Sequence, residues 1–114
     1  MSARRVLFAG LTLLWCGAAA AGQKTYSGDE AAALRCANTV AFTAIVLAST
    51  DRIGRFERNV MLGISANILT EYVSGTRGQK KRALAQIRDR RSVLETLSDF
   101  QRLAERCLRR FPLN

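Results

Sequence analysis

Apolar residues recur every three or four positions along most of this chain, the spacing of α-helices that each bury one face. The first stripe follows Ser27-Gly28-Asp29-Glu30, a Ser-x-x-Glu sequence that predicts a capping box, with Ser27 at the helix start and Glu30 reaching back. Ala33, Cys36, Ala37, Val40, Ala44 and Leu47 form the stripe, and Phe42, Ile45 and Val46 widen it until residues 40–48 are apolar nearly all round. Such a helix is expected to be buried on most sides. A run of nine residues falls far short of the roughly 20 that cross a bilayer, so the pattern reads as the central helix of a bundle.

Cap and charge residues at positions 49–52 interrupt the pattern, after which Ile53, Phe56, Val60, Ile64, Ile68 and Tyr72 mark a second amphipathic helix with Gly54 and Gly63 inside it as weak points. Residues 74–78 carry two glycines among polar residues and read as an interhelical turn. From Gln79 to Phe111 the spacing is helical again, with Leu84, Ile87, Leu94, Leu97, Phe100, Leu103, Ala104, Cys107 and Leu108 on the inner side. Arg88-Asp89-Arg90-Arg91 breaks that stripe by filling apolar slots with charge, and Ser92-Val93-Leu94-Glu95 directly afterwards is another capping box. A helix break near Arg91 follows, and Pro112 ends the last helix.

The N-terminus has a different pattern. A basic stub (Arg4, Arg5), an apolar run over residues 6–16 and the small-residue stretch Gly-Ala-Ala-Ala-Ala-Gly read in order as a secretory leader. Ala19 and Ala21 fit the small positions before a cut, so residues 1–21 are expected to be removed and residues 22–114 to form a single helical domain with no transmembrane span. The expected location is the periplasm of a Gram-negative bacterium, or secretion.

Leader removal takes away Cys16 and leaves Cys36 and Cys107 in an oxidising space, where an isolated pair predicts a disulfide. Their wide separation argues against a redox Cys-x-x-Cys pair, and without histidine or a second thiol pair they make a poor metal site. The bridge also selects a topology, because paired cysteines need Cα atoms within about 7 Å. In a three-helix up-down-up bundle, Cys36 and Cys107 sit at opposite ends. With the break near Arg91, four helices run up, down, up and down, and the start of the first meets the end of the last. The expected fold is therefore all-α, a small four-helix up-down bundle closed by one disulfide, with a long bent helical hairpin or a three-helix bundle as alternatives.

Charge adds a surface feature. The chain has 18 Lys and Arg against 9 Asp and Glu, and subtracting Arg4 and Arg5 still leaves a strongly basic domain. Arg77, Lys80, Lys81, Arg82, Arg88, Arg90 and Arg91 form a dense run opposed within that span only by Asp89. This face either meets an anionic lipid, envelope polymer or protein surface, or is a solvated helix side. Nucleic acid is not expected, since the run lacks interleaved aromatics and an exported protein seldom meets it. A second cluster, Arg102, Arg106, Arg109 and Arg110, lies where cations oppose a helix dipole and reads as structural. The pairs Asp51 with Arg55, Arg91 with Glu95, and Glu105 with Arg109 stand four apart and read as surface ion pairs.

No histidine, no Gly-x-Ser-x-Gly, no metal-spaced carboxylates and no phosphate-binding glycine loop are present, so no catalytic residue, cofactor or metal is assigned. The segment Leu-Ala-Gln-Ile-Arg-Asp-Arg-Arg-Ser-Val-Leu-Glu-Thr-Leu, residues 84–97, resembles in its spacing the first helix of the small helical chorismate mutases, which implies arginines binding a dianionic substrate. The resemblance covers one helix and lacks the later helices that complete such a site. The functional expectation is a non-enzymatic envelope protein that binds a partner protein, with a cationic binder of anionic lipid or polymer, acting through the basic run, as the alternative.

Overall fold

The structure is a computed structural model in which residues 24–114 are described. The basic stub, apolar run and cleavage positions read at residues 1–23 lie outside them. Four helices follow in order: α1 (Gly28–Ser49), α2 (Arg55–Tyr72), α3 (Arg77–Asp89) and α4 (Val93–Arg110), with no strand among the described residues. They form an all-α four-helix bundle closed by the Cys36–Cys107 disulfide, whose Cα atoms lie 5.7 Å apart.

α1 is the central element, and the other three helices all pack against it. The charge-poor run read in the sequence belongs to a 22-residue helix that is long and apolar enough, by length and composition, to cross a membrane. Here it serves as the bundle's axis. α2 runs antiparallel to it: Ser65 Oγ donates to the Ala37 carbonyl at 2.7 Å, while Ser74 at the far end of α2 binds Glu30 near the start of α1. Ala33, Ala37 and Ala44 are fully buried, and their small side chains let the neighbouring helices approach closely. α4 also runs antiparallel to α1, with Cys107 bound to Cys36 and Arg110 paired with Asp29. The core gathers at that end of the molecule, where Leu34, Ile68, Val73 and Phe111 are buried and Ala83, Ile87 and Leu108 pack against them.

At the opposite end the α1–α2 hairpin is less covered. Ile45 is 52% exposed and Phe56 77% exposed, although both belong to apolar stripes expected to face inward. The reason is topological: the core cluster draws α3 and α4 to the first half of α1, so the residues beyond Ala44 and the first turns of α2 lack a second layer. Leu94, also expected inside, is 79% exposed in the first turn of α4.

Local chemistry explains the helix boundaries. α1 ends in a Schellman arrangement: Arg52 N–H donates to the Leu47 carbonyl at 2.8 Å and Asp51 N–H to the Ala48 carbonyl at 3.2 Å, with Asp51 in the left-handed region at φ 56°. Asp51 is therefore outside any helix, and its expected i,i+4 pair with Arg55 is not among the ion pairs of the described residues. Gly54, read as a weak point within the second helix, instead precedes it, and its N–H donates to Glu57 Oε2 at 3.1 Å. The capping box at Ser92 and Glu95 forms as expected, with both reciprocal bonds, and creates the break between α3 and α4. A further box at Thr76 and Gln79 starts α3. The box expected at Ser27 does not form, because Glu30 is engaged across the molecule.

Candidate cationic groove

That engagement builds one wall of a groove. Glu30 Oε2 accepts from both the backbone N–H and the hydroxyl of Ser74, each at 2.6 Å, and Tyr26 donates its hydroxyl proton to the Ser74 carbonyl at 2.8 Å. Lys24 donates to Ser74 Oγ and stands over the Tyr26 ring. The segment before α1 is thus tied to the α2–α3 turn. Gly75, at φ 100°, permits this closeness, since a Cβ there would come within 2.7 Å of both Tyr26 Oη and Gln79 Oε1.

This cluster shifts two titrations. Hydrogen bonds from the Ser74 side chain and backbone, then the nearby Lys24 and Lys80 charges, hold the Glu30 carboxyl below its ordinary value. Burial, with Glu30 nearby, raises the Tyr26 phenol. At the α3–α4 break, Ser92 and Arg91 likewise lower Glu95. A carboxyl lowered in the folded state adds stability above its unfolded value of about 4.3, and that stability disappears as pH falls through the lowered folded value. The melting temperature is therefore expected to fall on acidification through this range, and Glu30→Gln to flatten that slope; thermal melts of both proteins from neutral pH to acid check it.

Between α1 and α3 the bundle leaves a groove of about 550 Å³. Its floor is apolar, formed by Ala31, Leu34, Ala83 and Ile87. Around this floor stand five cations, Lys24, Arg35, Arg82, Arg90 and Arg91, and no carboxylate lines it among the described residues. Arg35 and Arg90 have no ion-pair partner among those residues. Arg91 is held by Asp99 at 2.6 Å and Glu95 at 3.5 Å, which fixes it at the helix break.

The groove takes in only part of the basic run. Arg82, Arg90 and Arg91 line it, whereas Arg77, Lys81 and Arg88 lie elsewhere on the exposed surface. Lys80 instead secures the end of a helix, its ammonium donating at 2.9 Å to the Leu69 carbonyl, one of the four acceptors left open at the end of α2. Lys24 and Arg35 were missed by reading the run alone. A signal for Arg35 exists, because it is the sole charge between Ala31 and Thr50. In the second cluster, Arg110 pairs with Asp29, Arg102 with Asp99 at 3.1 Å and Arg109 with Glu105 at 3.9 Å, while Arg106 has no such partner among the described residues. Arg91 and Glu95 pair as expected.

The segment that resembles a chorismate mutase helix is divided between α3 and α4, so the continuous helix that the resemblance implies is absent. Among the described residues no three metal-ligating side chains gather. No protein-family model, curated protein or solved structure matches the chain. The class that fold and site define is a small disulfide-closed helical bundle with a cationic groove.

Proposed function

We propose that this protein is exported to the cell envelope, periplasmic in a Gram-negative bacterium, and acts without catalysis by binding an acidic segment of a partner protein in the α1–α3 groove. The leader-like pattern in residues 1–21 and a disulfide of the kind that persists in oxidising compartments support the location. The observation that carries the binding reading is five cations around an apolar floor with no carboxylate in the lining. A bare polyanion uses the cations and leaves Ala31, Ala83 and Ile87 unmatched. A peptide alternating acidic and apolar side chains satisfies both, with charge steering the encounter and the floor supplying burial.

The test is titration of the leader-free protein with a fluorescent peptide of alternating Glu and Leu, against poly-Glu, an acidic polysaccharide and anionic phospholipid vesicles, at low and physiological salt. The alternating peptide is expected to bind at physiological salt, and Arg82→Glu with Arg90→Glu to weaken it by about tenfold or more. Arg77→Glu with Lys81→Glu, outside the groove, should leave it nearly unchanged. Equal losses from both pairs, or binding to vesicles or polysaccharide but not to the peptide, sinks this reading in favour of a general cationic surface.

A further inference from the structure

A second concavity lies between α1 and α4, on the other side of Arg35, Ile87 and Arg91, which line both. At about 370 Å³ it falls within the roughly 300–1,000 Å³ range of small-molecule sites. Its walls are apolar: Ala32, Leu103, Ala104, Phe111 and the Cys36–Cys107 disulfide. Three features distinguish it from a packing defect. Asn38 lines it and is only 7% exposed, yet its amide has no hydrogen-bond partner among the described residues. Arg35 and Arg106 also line it, and neither has a carboxylate partner there. The remaining charges are already matched: Asp99 is held by Arg91 and Arg102, and Arg110 by Asp29 while stacking on Phe111.

The Asn38 amide is not among the polar atoms sealed from solvent without a partner, so it opens into the cleft, where its donors and acceptor are available to an occupant's polar group. An occupant without polar atoms would leave Asn38 unmatched and bury Arg35 and Arg106 beside hydrocarbon. A cationic occupant would meet four arginines against one aspartate. What fits the walls and the rim together is an apolar body with one anionic head. The geometry points to a binding site for a single-chain anionic amphiphile in the α1–α4 cleft, its body against Leu103, Ala104 and Phe111 and its head met by Asn38, Arg35 and Arg106. The ligand is a free monomer, since the cleft admits one chain and not a bilayer face.

The experiment is an NMR titration of the oxidised, leader-free protein with dodecanoate below its micelle concentration, beside dodecanol, dodecyltrimethylammonium and phosphatidylglycerol vesicles. Dodecanoate is expected to bind one to one and shift the Asn38 side-chain amide resonances, with dodecanol and the ammonium weaker by about tenfold or more. Arg106→Glu, which lines the cleft but not the groove, should weaken dodecanoate by a similar factor. Arg82→Glu, which lines only the groove, should leave it within about twofold. Ala104→Phe should abolish binding by filling the cleft; if that variant does not fold, Leu103→Asp, at a residue already 40% exposed, performs the same test. Equal affinity for dodecanol, an unmoved Asn38 amide, unchanged binding in the cleft variants, or binding to vesicles alone overturns the assignment. The cleft result is independent of the peptide result, because Arg82 and Arg106 separate the two sites.

Discussion

Replacing Cys36 and Cys107 together by alanine is expected to lower the free energy of unfolding by about 4 kcal/mol. The two half-cystines stand 71 residues apart, and in the chain-entropy account a loop of that length strongly restricts the unfolded ensemble. The native core has little reserve to absorb the loss. Among the described residues its nine buried hydrophobic residues include three alanines and one of the half-cystines, and the largest fully buried side chains are Leu34, Ile68 and Thr43. A loss of this size is comparable with the whole stability of a small domain. Urea titrations followed by far-UV circular dichroism, on oxidised, reduced and double-alanine protein, check it. The reduced and double-alanine forms should unfold at much lower urea or without a cooperative transition. Coincident curves for all three would mean that packing alone sustains the fold.

The second large effect is expected at Ile68. It is fully buried on α2 and belongs to the same core cluster as Ala33, Leu34 and Ala37 of α1, so Ile68→Ala removes side-chain contacts and opens a cavity that backbones held close by alanines cannot collapse to fill. A loss of about 2–5 kcal/mol follows, against roughly 1 kcal/mol for Ile68→Val, both measured in oxidised protein by the urea midpoint at constant slope. An Ile68→Ala loss no larger than that of Ile68→Val would show that the α1–α2 interface relaxes around the void.

Two kinds of information made the fold legible. The break between α3 and α4 is written locally, in Ser92 and Glu95, whose mutual bonds need no tertiary support. The bundle order follows from a distance constraint, since two cysteines that must meet exclude the three-helix arrangement. What failed did so for tertiary reasons. Ser27 and Glu30 have the same spacing as Ser92 and Glu95, but Glu30 finds Ser74, 44 residues away, and abandons the local bond. Phe56 and Ile45 carry the pattern of buried residues, yet no helix arrives to cover them.

The site divides in the same way. Arg82, Arg90 and Arg91 stand out in the sequence because they crowd together. Lys24 and Arg35 reach the same groove from the other side of the fold, so their part emerges only when α1 and α3 are set side by side. Asn38 gives no signal in the sequence, where it is one of a few polar residues, beside Thr39, in a largely apolar stretch. Its meaning comes from the missing partner.

The disulfide also sets an order of events in the life of each molecule. Cys36 leaves the ribosome 71 residues ahead of Cys107, several seconds at about 5–20 residues per second. Through that interval α1 and α2 can pair while the first thiol waits, and the nearest cysteine in sequence is then Cys16, not its true partner. A chain without residues 1–21 can close only the Cys36–Cys107 loop, whereas one that still carries Cys16 when it meets an oxidant can close the wrong one.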